Sequence, residues 1–117
     1  MPRIVSFAEK FEPEFDELPQ EVQDAILARG MLLEREGPSL GRRHADTLTG
    51  SKHANMKELR CSAADGAWRI AFAFDPDRQA TLLAAGDKSG GSEKRFYKQL
   101  IARADERFDS HLKRRKG

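Results

Sequence analysis

Between residues 53 and 97 apolar and polar positions alternate in three short runs. Trp68, Ile70, Phe72 and Phe74 share one face of a strand, and Arg69, Ala71 and Ala73 share the other. The preceding run, Met56-Lys57-Glu58-Leu59-Arg60-Cys61, alternates too. With Leu59 and Cys61 on the Trp/Phe face, Glu58 and Arg60 join Arg69. The pattern predicts strands near 56–62, 67–75 and 79–86. Asp65-Gly66 and Asp75-Pro76-Asp77 serve as the turns of an antiparallel meander.

Elsewhere the period is helical. Leu18, Val22, Ala25, Ile26, Leu32 and Leu33 form an apolar stripe through to Glu36, with Pro19 at the first helical position and Gly37-Pro38 as the stop. Gly30 inside it costs about 1 kcal/mol relative to Ala. Phe11 and Phe15 suit a short helix limited by Pro13, after a first strand over 3–7. Ser92 is an N-cap for a last helix, whose inner face runs from Phe96 and Tyr97 through Leu100, Ala104 and Phe108 to Leu112. Residues 39–55, with Arg42 and Arg43, read as an irregular connection holding a strand fragment around 47–49. The order β-αα-βββ-α predicts an α+β fold. Its small, mainly antiparallel sheet carries two N-terminal helices and a C-terminal helix on the apolar face, leaving the Arg69 face open.

Composition narrows the class. The 117 residues, 38% hydrophobic, suit one domain over 1–117 with a single core. No apolar run approaches the roughly 20 residues of a membrane span, and the first residues hold no signal core, so a cytoplasmic protein is expected. Cys61, the one cysteine, has no disulfide partner and no metal-ligand spacing; no metal or cofactor is expected. The net charge is only +2, but residues 1–40 carry a balance of −5 and residues 88–117 a balance of +6. Two readings fit: an anion-seeking side, or a basic last helix docked on an acidic N-terminal region.

The polar groups near the open face are Arg60 and Arg69, with Lys57, Lys88, Lys94, Tyr97 and His53 within reach. This set is rich in cations and poor in acceptors. It suits a phosphodiester, and it suits ribonuclease chemistry in which a 2′-hydroxyl attacks the adjacent phosphate. Structural alternatives stand beside each residue. Glu58 could pair with Arg69 across strands, and Arg60 could be a solvated strand charge. Lys57 reaches the arginine face only through a bulge. Tyr97 could be helix packing. His53 is the natural base by residue type, or a loop bystander. Lys88 in GDKSGG lacks the full spacing of a nucleoside-triphosphate loop.

The segments GSKHANMKELR (50–60), WRIAFAFD (68–75) and LLAAGDKSGGSEKRFYKQLI (82–101) resemble the RelE/HigB superfamily of toxins from type II toxin–antitoxin modules, in its phage-derived Gp49-like branch. With LPQEVQDAIL the likeness covers nearly the whole chain. It implies a microbial-ribonuclease-like fold and an endoribonuclease that cuts messenger RNA on the ribosome. It also implies a cognate antitoxin carrying a helix-turn-helix domain. By motif position the catalytic residues fall on Lys57, Arg60, Arg69, Lys88 and Tyr97, with Lys52, His53, Lys94, Arg95 and Lys98 expected to bind RNA. Some HigB-type relatives use histidines and an aspartate, for which His53 and Asp87 are the counterparts. Asp87-Lys88 departs from the consecutive lysines of many Gp49-like chains. ParE-type toxins share this fold and poison DNA gyrase, and an inactive relative that only binds antitoxin or RNA is a further alternative.

Overall fold

A computed structural model describes residues 5–41 and 44–116, so residues 3 and 4 of the expected first strand, together with Arg42 and Arg43, lie outside the described residues. The elements run β1 (Val5–Phe7), α1 (Phe11–Asp16), α2 (Gln20–Glu36), a 3-10 turn (Gly37–Ser39), β2 (Ala45–Thr47), β3 (Lys57–Ala63), β4 (Gly66–Phe74), β5 (Ala80–Asp87) and α3 (Glu93–Lys116). One sheet has the order β1-β5-β4-β3-β2; β1 lies parallel to β5 and the other neighbours are antiparallel. The expected α+β architecture is therefore present. No helix among the described residues is long and apolar enough to cross a membrane.

The first hairpin turns one residue earlier than Asp65-Gly66 suggests. Ala64 and Asp65 both take positive φ, 49° and 60°, and Gly66 is already paired with Ala63. Glycine is required at 66 for a different reason. A Cβ there would stand 2.7 Å from an Asp87 carboxylate oxygen and 2.9 Å from the Trp68 ring nitrogen. At the second turn the buried Asp75 carboxylate accepts from the backbone N–H groups of Asp77 and Gln79.

The strand alternation holds through β3 and β4, where Leu59 pairs with Ile70 and Cys61 with Trp68. Their face packs against α2 through Val22, Ile26 and Leu33; Gly30 is buried beside Val5. Phe7, Phe11 and Phe15 close this side, with ring centroids 4.7–6.2 Å apart.

The opposite face is where the sequence expectation fails. Ala71, Ala73, Thr81 and Ala84 are fully buried, because α3 lies on them. Tyr97 bonds Glu58, Phe96 sits over Gly86, and Arg107 donates to the Leu83 carbonyl at 2.9 Å. Leu83 is the extra residue of a bulge in β5. The alanines admit a helix, not a polyanion: small side chains let the two backbones approach, and the apolar stripe of α3 needs a surface to cover. The sheet is thus covered on both faces.

Charge fastens the far half of α3 to the acidic N-terminal region. Arg107 forks onto Glu14 at 2.6 and 2.8 Å, and Arg114 pairs with Glu9. The Arg107 fork holds the Glu14 carboxyl below the ordinary carboxylate range, against the opposing effect of burial. Part of the charge asymmetry is therefore spent internally.

Gly86 tests this arrangement. A Cβ at that position would approach the Phe96 ring to 2.8 Å. Gly86→Ala is expected to lower unfolding stability by about 1–3 kcal/mol through overpacking, read from urea titrations. Unchanged stability would show that α3 does not sit on this face.

Candidate active site

Alternation in β2, β3 and β4 sets up an unusual charge pattern. The register places Arg60 directly opposite Arg69, and Asp46 directly opposite Glu58. Like charges facing each other across a ladder destabilise it. The conflict is relieved diagonally. Arg60 Nη2 lies 3.4 Å from both Glu58 Oε2 and Asp46 Oδ2, and Arg69 Nε lies 3.7 Å from Glu58 Oε1. The Glu58–Arg69 cross-strand pair considered from sequence is present, as a diagonal contact, since Glu58 stands directly opposite Ala71.

Tyr97, in the first turns of α3, completes the cluster. Its hydroxyl donates to Glu58 Oε1 at 2.8 Å. Burial pushes its ionisation up, the Glu58 bond and charge add to that, and Arg69 opposes it. The Glu58 side chain is 6% exposed and that of Arg69 15%, whereas Arg60 reaches 38%. The cluster thus runs from a buried carboxylate to a half-open guanidinium. Arg69 Nη1 donates to the Trp68 carbonyl at 3.0 Å, while its buried Nε has no hydrogen-bond acceptor among the described residues.

The other sequence candidates disperse. No bulge interrupts β3 against β4, so Lys57 stays opposite Phe72, on the face away from Arg60 and Arg69. Lys88 donates its backbone N–H to Ala67, and its ammonium lies 3.5 Å from Glu93. Asp87 accepts from the Ser89 hydroxyl and from the N–H groups of Ser89 and Ala67, which hold it below the ordinary carboxylate range; it ties down the end of the hairpin. Lys52 and His53 both pair with Asp109, and the His53 ring packs edge-on against Phe108. Asp109 is twelve residues beyond Tyr97, about 18 Å along the helix, so this pair is not part of the cluster.

Lys94, Arg95 and Lys98 behave differently. They line a shallow, exposed trough on the outer side of α3 and form no ion pair among the described residues. The expected RNA-binding set therefore divides into three uncompensated cations near Tyr97 and two that fasten a loop to the helix.

Two members of the cluster escape sequence reasoning as site residues: Glu58, read there only as a structural partner, and Asp46. The two carboxylates make the site far from acceptor-poor. Glu58 was findable, since its alternation with Arg60 fixes a common face. Asp46 sits in a stretch with no periodic signal.

Comparison with known proteins bears on this arrangement. Residues 13–109 match the family model described as phage-derived protein Gp49-like (DUF891). The chain is similar to the candidate toxin HigB2 of Mycobacterium tuberculosis (strain ATCC 25618 / H37Rv), 48% identical over 81% of this chain and 47% of that protein. It is also similar to the candidate toxin HigB3 of the same strain, 52% identical over 69% of this chain and 68% of the relative. The matched part thus spans about half of HigB2. A solved structure of a free-state E. coli toxin RelE mutant superposes with a TM-score of 0.55 at 10% identity, covering 87% of this chain and 96% of that one. That likeness concerns the fold.

Because Tyr97 is the only tyrosine, its phenolate absorbance reports the cluster directly. Ionisation is expected above the usual tyrosine range in the native chain, moving down toward that range in Glu58→Gln. Identical titrations for the two proteins would remove Glu58 from contact with Tyr97.

Proposed function

The chain belongs to the phage-derived Gp49-like family, and from that premise we propose that it is the toxin of a type II toxin–antitoxin module, an endoribonuclease that cuts messenger RNA on the ribosome and halts translation. One observation carries this reading. Two guanidiniums converge beside a tyrosine and a carboxylate, and the buried Nε–H of Arg69 has no acceptor among the described residues. Buried polar groups are rarely left unsatisfied, and a catalytic role is one of the reasons a fold keeps one. A phosphate oxygen is the acceptor that a guanidinium fork fits best.

In the proposed reaction Arg69 and Arg60 grip the scissile phosphate. Both stabilise the charge that grows on its oxygens as the 2′-hydroxyl attacks. No metal is required for that role. Tyr97 orients the adjacent carboxylate. Lys94, Arg95 and Lys98 guide the strand along α3 toward the cluster, an electrostatic contribution that weakens as salt rises. Lys88 stands at the neighbouring end of the sheet as a further phosphate contact once released from Glu93. Lys57, Lys52 and His53 are left with supporting roles. The partner that silences the toxin is an antitoxin with a helix-turn-helix domain, and the setting is the cytoplasm.

Arg69 is the decisive position. Arg69→Ala is expected to reduce cleavage of ribosome-bound mRNA about 10²–10³-fold, with Arg69→Lys recovering part of it and antitoxin binding retained. Cleavage assays and thermal melts on the same purified variants provide the check. Near-native cleavage by Arg69→Ala would take this residue out of the active site. Pulse labelling after expression without antitoxin is expected to show protein synthesis stopping first; early loss of DNA synthesis with intact mRNA would overturn the ribonuclease reading.

A further inference from the structure

We propose that Glu58 is the proton acceptor of the cleavage step, a role that rests on the ribonuclease reading and supplies the base that neither His53 nor Tyr97 provides. At rest the cluster is balanced: Arg60 and Arg69 face Glu58 and Asp46. Glu58 Oε1 is occupied by the Tyr97 hydroxyl at 2.8 Å. Among the described residues, Oε2 meets the long 3.4 Å contact from Arg60, which that guanidinium shares with Asp46. One oxygen of Glu58 is thus held by a short bond and the other by a long, shared one.

The alternatives are committed elsewhere. The His53 ring is held by Asp109 at 2.9 Å. Tyr97 is itself a donor to Glu58, and its half-buried hydroxyl resists ionisation. Asp46 uses Oδ1 to accept the Thr47 backbone N–H at 2.8 Å and turns Oδ2 to Arg60.

Phosphate binding brings one negative charge more than the two guanidiniums balance. A carboxylate crowded by an anion relieves the repulsion by taking up a proton. The nearly buried carboxylate is reached when Arg60, its more exposed neighbour, swings from Glu58 to the phosphate. The 2′-hydroxyl then gives its proton to Oε2 as the O2′–P bond forms. The P–O5′ bond breaks, the 5′-oxygen takes a proton from solvent water, and a 2′,3′-cyclic phosphate remains. Total charge is conserved: negative charge leaves Glu58 and appears on the phosphorane, and the arginines exchange one partner for the other. Glu58 afterwards returns its proton to water.

The test uses Glu58→Gln, which keeps the shape and can still accept from Tyr97. Cleavage is expected to fall about 10²–10⁴-fold, and the rise in rate with pH on the acid side is expected to vanish. Binding of the same RNA with a 2′-deoxy sugar at the scissile nucleotide should hold or tighten. Glu58→Asp should keep the acid limb, with its midpoint moved, at a reduced rate; it decides the matter if the glutamine variant does not fold. Cleavage by Glu58→Gln within threefold of the native chain, with its acid limb intact, would overturn the base and leave the ribonuclease reading standing. Loss of binding together with cleavage would make Glu58 structural and overturn it as well. Intact RNA with the native chain would overturn the ribonuclease reading, and the base with it.

Discussion

The arrangement depends on a carboxylate placed between two arginines that the strand register forces to face each other. Arg60 and Arg69 are directly opposed across β3 and β4, and Glu58 contacts both, relieving a repulsion next to the core that Asp46 reaches from the Arg60 side alone. Glu58 does more than compensate. By accepting from Tyr97 it also fixes the first turns of α3 over the sheet, so the charge balance of two strands and the seating of a helix share one side chain. Paired, buried charge of this kind is a modest source of stability, and removing one partner is costly because the others are left uncompensated. Its value lies in holding four side chains from three elements in one geometry.

Helix α3 accordingly has two halves with different duties. The C-terminal half is fastened: Arg107 to Glu14, Asp109 to Lys52 and His53, His111 to Asp75 at 3.0 Å, and Arg115 to Asp77. Leu100, Ala104 and Phe108 bury its inner face. The N-terminal half presents Tyr97 inward and leaves Lys94, Arg95 and Lys98 to solvent. A helix anchored at one end can position a catalytic group at the other while its outer surface follows a polyanion. Alanines beneath it make this possible, since larger residues at Ala71, Ala73 or Ala84 would hold it off the sheet.

Periodicity carried most of the architecture. The alternation around Trp68 and Leu59 gave three strands with the correct faces, and the stripes of α2 and α3 were legible for the same reason: each buries one side of a regular element. What periodicity does not encode is which face a helix will choose. The alanine face looked polar because Arg69 is its only long side chain, yet alanine is as good a floor for a helix as for a ligand. The same gap hid the ion pairs of Lys52 and His53, which require knowing that residues 50–55 lie against α3. The proximity of Arg60, Arg69 and Tyr97 is legible because two lie in the alternation and one in the stripe. Lys57 shows the converse: its position in the alternation puts it on the face away from Arg60 and Arg69, and the bulge that would bring it round is absent between β3 and β4.

Glu58 and Tyr97, joined by a 2.8 Å hydrogen bond, are expected to be energetically coupled and to hold the cluster in place together. A double-mutant cycle with Glu58→Ala, Tyr97→Phe and the combined variant, read by urea unfolding, tests it most directly. The account predicts a coupling of about 0.5–3 kcal/mol, the double variant losing less than the sum of the single losses. Additivity within about 0.3–0.5 kcal/mol would show that the two side chains act independently, and would contradict it.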